Sequence, residues 1–394
     1  MENQGCRVVT IKEIFSLFKG EEQANAIELV SLEEVGNSIV AMKGLYQTGD
    51  KALFVQPDYC LSDIDLFKEY ICPMGDPKKC RLGSKNRVRA IKFNLHTGNG
   101  NPVYSYGVLV TSEQVEAYAM VNISDDSIDW DKQLGIVKWE EPEVFHGGGG
   151  KAVTCEFPHG MYQTDEENIN NLINDIKLPT LLIGTEKVDG SSITIWYKDG
   201  KSGIASRKQG RPLRYMKIVG YRKPNIFQKL LIRWTKGKYK YEDKIIKLSE
   251  SDDHFVTIGK PYLEFLTKYC RDNGCHLALR GELVGKGCKG SGNPNNPKAK
   301  EDSHIEFFGI DYYSHITVRM EYPKARQLAE ELGIQYVKEY FQKTFETNEE
   351  IFETCQKIFE EEKENGRIIE GIVLRNVSGS FSTKLMNLEY DSKK

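Results

Sequence analysis

A chain of 394 residues with 39% hydrophobic content can bury a sizeable core, and its length predicts two domains or one large domain with an appendage. No run approaches the roughly 18 apolar residues of a membrane span, and Met1–Thr10 lacks the charged-then-apolar order of a signal peptide, so an intracellular protein of cytoplasm or nucleus, with no membrane partner, is expected. A formal net charge of −3 gives no global sign of a polyanion partner but allows local concentration of charge, and nine scattered cysteines without paired zinc-site spacing read as reduced thiols.

From Met1 to about Pro142 short strands alternate with turn residues: Ser38–Met42, Ala52–Val55 and Arg87–Lys92, with Gly49-Asp50 and Gly98-Asn99-Gly100 between them. This spacing predicts a small barrel. Thr111 with Gln114 three residues later predicts a capping box ahead of a helix through Val121. Arg87 and Arg89 alternate on the strand and share a face; such a pair is either a solvated face or a contact for a nucleic-acid backbone. Phe145-His146-Gly147-Gly148-Gly149-Gly150-Lys151 reads as a flexible joint near a domain boundary; it lacks the lysine and hydroxyl spacing of a P-loop.

Thr164-Asp165-Glu166-Glu167 reads as a second capping box, ahead of a helix to about Ile176. Leu178–Ile183 predicts a strand that leads into Thr185-Glu186-Lys187-Val188-Asp189-Gly190. Two residues apart in an extended segment, Lys187 and Asp189 lie on one face and can address one small site. A strand over Ser192–Tyr197 turns at Lys198-Asp199-Gly200-Lys201 into a returning strand over Ser202–Lys208. Arg207 to Lys247 is strongly basic and interleaved with Tyr215, Tyr221, Phe227, Trp234, Tyr239 and Tyr241, opposed only by Glu242 and Asp243. Nucleic-acid contact and an ordinary amphipathic segment both fit it.

Pro261–Arg271 predicts a helix ending near Gly274. A strand over His276–Leu279 delivers Arg280-Gly281-Glu282-Leu283, and a Gly/Asn/Pro loop follows through Pro297. Ile305–Tyr313 is an aromatic strand in which Phe307 and Phe308 point to opposite faces. Helices are expected from Pro323 to Gly333 and from a Thr347/Glu350 cap to Gly366. Glu370 opens a strand running to Arg375, and Ser382–Asn387 contains Lys384.

These side chains form a chemical set. A lysine amine is a nucleophile only when neutral, so its usual pKa near 10.4 must be lowered by burial or by nearby positive charge. Asp189, Glu282 and Glu370 suit a hard cation, Mg2+ or Mn2+, holding triphosphate oxygens, while Arg207 and Lys384 supply the cationic contacts of phosphoryl transfer. In this order, Lys187-Val188-Asp189-Gly190, Ser206-Arg207-Lys208, Arg280-Gly281-Glu282-Leu283, Phe307-Phe308-Gly309-Ile310, Glu370–Arg375 and the segment around Lys384 resemble motifs I, Ia, III, IIIa, IV and V of the covalent nucleotidyltransferase superfamily of ATP-dependent RNA and DNA ligases and mRNA capping enzymes. Ala26–Val30, Gly49–Asp58, Arg87–Lys92 and Thr164–Ile169 bring the whole chain nearest to the Deinococcus-type RNA ligases.

That resemblance implies an α+β fold: an OB-type β-barrel over residues 1–142, then an ATP-grasp-like nucleotidyltransferase domain of antiparallel sheets and flanking helices over 143–394. It implies ATP with Mg2+ or Mn2+, a lysyl-AMP on Lys187, an RNA-adenylate, and joining of RNA 3'-OH and 5'-phosphate ends in a nicked duplex by a monomer. By carry-over, Glu186, Lys187, Gly190, Arg207, Glu282, Phe308 and Lys384 bind the nucleotide, with Phe308 stacked on adenine and Lys384 on the α-phosphate. Asp189, Glu282 and Glu370 serve the metal, and Asp189 also orients the lysine or a metal-bound water. Two departures stand out: Met386 occupies a position where many ligases are basic, and Tyr162-Gln163 precedes Thr164 where a basic residue is expected. DNA ligases and capping guanylyltransferases normally carry their OB domain after motif V, which argues against both. A non-catalytic RNA-binding protein on a ligase fold is the remaining alternative.

Overall fold

The computed structural model describes residues 4–139, 157–163, 165–234 and 244–390. The glycine run 147–150 and Thr164 lie outside them.

The N-terminal part is organised by a long hairpin. Strands Cys6–Lys19 and Glu22–Leu32 meet at a tight turn in which Gly20 takes a φ of +63°, a value glycine reaches without steric cost. Five antiparallel strands follow in the order Ser38–Met42, Glu22–Leu32, Cys6–Lys19, Lys51–Val55, Val108–Thr111. Register shifts at Ile11/Glu13 and Ser16/Phe18 are bulges of the kind that curl a sheet. Because side chains alternate, Leu53 and Val55 enter one apolar cluster while Phe54 enters another, so both faces are covered. Thr111 caps the helix Ser112–Ala119, with Gln114 reciprocating as expected.

Three expectations here are corrected. The first strands are long rather than short, because the residues of the hairpin alternate without a turn signal until Gly20. The strand placed at Arg87 begins at Ala90. Arg87 is outside it, donating from Nε to Asp58 Oδ1 at 2.9 Å and stacking on Trp139 with 3.9 Å to the ring centroid, so its charge is spent internally.

The C-terminal part holds two sheets. One has the order Glu167–Asn168, Ser382–Met386, Gly371–Arg375, Thr180–Lys187, Glu339–Phe345; the other runs Gly210–Arg211, Lys201–Ser206, Ser191–Lys198, Leu277–Val284, His304–Tyr313, Thr317–Arg319. The chain crosses from the first to the second through Val188-Asp189-Gly190 alone, which puts Lys187 at their seam. The expected hairpin turn is present, with Asp199 and Gly200 both at positive φ.

Helix His254–Asn273 packs on the second sheet, with Leu263, Leu266 and Cys270 buried against Ile193, Ile195 and Ile204. It starts seven residues before Pro261, where the sequence reading had placed its first turn. Asp253 caps it by accepting from Phe255 N and Val256 N, and the proline is carried inside. The helix expected after Thr164 is also corrected: Asn168 Oδ1 accepts from Asn170 N at 3.0 Å and caps a single turn, Ile169–Leu172. Helices Tyr322–Glu331 and Asn348–Glu364 lie where predicted, the second capped by Thr347. No described helix is long and apolar enough to cross a membrane, and the eight described cysteines are all free thiols.

Candidate active site

Strand register assembles the first group of side chains. Lys187 pairs with Gly371, so Glu370, one residue before that strand, stands beside it, and Lys187 Nζ lies 2.6 Å from Glu370 Oε2. Glu282 arrives from the second sheet, where it pairs with Ser192. Gly190 permits the approach, since a Cβ there would sit 2.4 Å from the Leu283 carbonyl and 2.9 Å from Glu282 Cγ. Asp189 is fixed by Tyr390, whose hydroxyl donates to Oδ2 at 2.8 Å, and by Asn296, whose amide donates to the Asp189 carbonyl at 3.1 Å.

One lysine thus faces three carboxylates in a largely buried setting. Burial pushes the Lys187 amine down, but the Glu370 carboxylate, then Glu282 and Asp189, outweigh it and hold the amine above its ordinary value. Glu282 is pushed up to about 8, first by burial and then by Glu370 and Asp189 against the pull of Lys187. Asp189 is raised for the same reasons, burial first. Surplus negative charge is therefore stored here.

A second group has the opposite balance. Asp165 receives Arg207 Nη2 at 2.5 Å, Lys384 Nζ at 3.7 Å, and Lys138 Nζ in a short ion pair. Burial alone would raise the Asp165 carboxyl, yet Lys384 and Arg207 hold it below its usual range. Lys384 is placed by the parallel pairing of Asn168 with it and by its antiparallel pairing with Val373. Lys138 comes from the short strand that pairs with Tyr59–Cys60, so the N-terminal part contributes a cation. The Nε of Arg207 is buried without a hydrogen-bond partner.

The remaining expected residues separate. Phe307 is core, edge-to-face with Tyr262 at 5.1 Å; Phe308 is half-buried on the opposite face, its carbonyl accepting from Arg375 Nη1 at 2.5 Å. Gly309 is required at that point because Arg319 Nη1 would lie 1.9 Å from a Cβ. Glu186 turns away from Lys187, as strand alternation demands, and is held by Arg367 Nη2 at 3.0 and 3.1 Å; its side chain positions the strand rather than facing a ligand at Lys187. Arg280, 1% exposed, is bound to Asp311 at 2.7 Å and lies outside both groups. Among the described residues no three His, Cys, Asp or Glu side chains converge as a metal cage. Asp189, Glu282 and Glu370 surround the lysine instead.

Sequence reasoning missed Tyr390, Asn296 and Lys138, which carry no motif. Asp165 was in view but assigned to a helix cap; a carboxylate close to a segment expected to be basic was the available signal.

Two sheets joined at a lysine amid carboxylates, beside a cationic group, define a nucleotidyltransferase. A family model described as RNA ligase matches residues 180–386, more than half of the chain, and the chain belongs to that family. Its fold is similar to solved structures of the Naegleria gruberi RNA ligase. One mutant with ATP and Mn is 20% identical with a TM-score of 0.67, the match covering 98% of each chain. Another with AMP and Mn is 20% identical with a TM-score of 0.65, again over 98% of each. The enzyme with PPi is 21% identical with a TM-score of 0.63 over 98% of each. No curated protein matches the chain.

Proposed function

We propose that this RNA ligase is ATP-dependent and joins 3'-OH to 5'-phosphate RNA ends through a lysyl-AMP on Lys187 and an RNA-adenylate. The observation that carries this is the pair of opposed charge groups at one seam, Lys187 with three carboxylates and Asp165 with three cations. In the first step the Lys187 amine attacks the α-phosphorus of ATP, forming the N–P bond as pyrophosphate leaves. AMP then passes to the RNA 5'-phosphate, and the 3'-hydroxyl displaces it. Arg207 and Lys384 hold phosphate oxygens, Glu282 and Arg207 align ribose and the reacting end, Gly190 keeps the approach to Lys187 open, and Phe308 offers its exposed ring face to adenine.

The donor chemistry at Lys187 fits Mg2+ or Mn2+: oxygen ligands with surplus negative charge, too few for a closed cage, as expected for an ion that keeps waters and phosphate oxygens. Glu370, with Asp189 and Glu282 around it, would hold that ion, which supplies positive charge that lowers the lysine pKa and offsets phosphate charge. Until then Glu370 keeps the Lys187 proton in place. The related structures with ATP, AMP and Mn support this assignment of nucleotide and metal. The reading extends to an OB-type module over residues 1–142 ahead of a nucleotidyltransferase domain over 143–394, of Deinococcus type, acting on nicked duplexes as an intracellular monomer.

Incubation with α-labelled ATP and Mg2+ or Mn2+ tests it. Covalent label is expected in the wild type and absent from Lys187→Ala. No label from ATP, or equal label in the variant, overturns the reading, and label from GTP alone replaces it with capping chemistry. Sealing of nicked RNA, compared with nicked DNA, then checks the substrate.

A further inference from the structure

Strands Arg214–Tyr221 and Lys244–Glu250 pair with each other and with no other described strand, and helix Ile226–Trp234 lies between them in the chain. This is an arm outside both C-terminal sheets, and a two-stranded ribbon is marginal in water by itself. Its base is closed where Ser251 N donates to the Leu213 carbonyl at 3.0 Å and Lys260 pairs with Glu250. It leaves the body seven residues after Arg207, which belongs to the cationic group at the seam.

The arm's surface is unusual on two independent counts. Phe227 and Trp234 are 79% and 86% exposed. Seven residues apart on a helix, they share a face at about 10 Å separation along the axis, so these aromatics are not core. Arg222, Lys223, Lys229 and Arg233 are exposed beside them, and Lys229 and Arg233 stand one turn apart, where like charges oppose helix formation. From Arg207 through Tyr241 the chain holds twelve Lys or Arg and no Asp or Glu. Nothing acidic in that stretch offsets the charge, so the complementary partner is a polyanion.

We infer that the arm is a docking surface for the RNA that flanks the ends being joined, with Phe227 and Trp234 stacking on bases and the four cations contacting phosphates. This rests on the ligase reading, which puts an RNA end at Arg207, next to the arm's root. Ring faces for unpaired bases and cations for the backbone are the two halves of single-strand recognition, and both are present here on one short helix and its lead-in. Basic amphipathic helices also bind anionic lipid; the position beside Arg207 favours RNA.

The full-length protein is compared with two variants, Phe227→Ala/Trp234→Ala and Arg222→Ala/Lys223→Ala/Lys229→Ala/Arg233→Ala. Lysyl-AMP formation from labelled ATP involves no RNA and should stay within about twofold of wild type, which also reports that the fold is intact. The aromatic pair should weaken binding of a nicked RNA duplex with single-stranded flanks by about tenfold or more, with its salt dependence kept. The four-cation variant should lower the slope of log affinity against log salt by about 3. RNA affinity and salt slope unchanged in both variants, with lysyl-AMP formed normally, overturn the arm and leave the ligase reading standing. Capture by phosphatidylserine vesicles that is lost in the aromatic pair, with RNA affinity unchanged, assigns the surface to lipid and also overturns it. A wild type that forms no lysyl-AMP but loses RNA affinity in both variants overturns the ligase reading and retains the arm as an RNA surface.

Discussion

The two charge groups at the seam are mirror images. Around Lys187 one cation faces Asp189, Glu282 and Glu370; around Asp165 one carboxylate faces Lys138, Arg207 and Lys384. Each is unbalanced by itself, and unbalanced charge removed from water is costly. Asp165, half-buried among its cations, gains from its imbalance and titrates low; Glu282, buried with like charges, is held neutral up to about pH 8. The contrast shows a divided task, since a metal-bound nucleotide carries the missing charge for both, cation for one group and phosphate oxygens for the other.

The sharpest way to break that division is at Glu370. Glu370→Gln removes the lysine's partner and part of the surplus that would hold a metal, and lysyl-AMP formation should fall by about a hundredfold or more, read by covalent label at saturating ATP. Label near the wild-type level would show the carboxylates to be only counter-ions of Lys187. Next in size, Arg207→Ala and Lys384→Ala should each lower kcat/KM for ATP in the label assay by about ten- to a hundredfold. An unchanged kcat/KM in both would remove the phosphate role from the Asp165 group.

How much of this was legible in the sequence follows from which features are local. Lys187, Asp189 and Gly190 sit on one turn, Glu282 and Glu370 each adjoin a glycine, and such short signals survive in a linear reading. The Thr347 and Thr111 caps and the Asp199-Gly200 turn were legible for the same reason, being satisfied within a few residues. Tyr390 and Asp189 are 201 residues apart, and Lys138 reaches Asp165 from a different sheet; no spacing rule encodes those contacts. Glu186 was misread because adjacency to Lys187 suggested a shared site, whereas a strand sends neighbours to opposite faces. Pro261 was misread because proline usually opens a helix, while here the Asp253 cap fixes the start.

A smaller effect tests whether Asp165 competes with phosphate for the cations. Asp165→Asn keeps the shape and removes the internal anion, so KM for ATP in the label reaction should fall by about threefold to tenfold with kcat little changed. A rise in KM would mean that Asp165 instead holds Arg207 and Lys384 in place.

The smallest expected effect concerns stability and comes from Glu282. Its carboxyl has a folded value of about 8 against an ordinary 4.5, so between those two values the folded protein binds more protons than the unfolded chain. Stability from this group is complete below about pH 4.5 and is lost as pH rises through about 8, at no more than about 1.4 kcal/mol per pH unit. Metal-free protein should therefore lose a few degrees of Tm between pH 5 and 8, and Glu282→Gln should flatten that decline. Mn2+ should flatten it in the wild type too, because a cation among these carboxylates favours the ionised form. A decline that persists in Glu282→Gln would place the stored charge elsewhere, and one that Mn2+ leaves untouched would break the assignment of the metal to the Lys187 side of the seam.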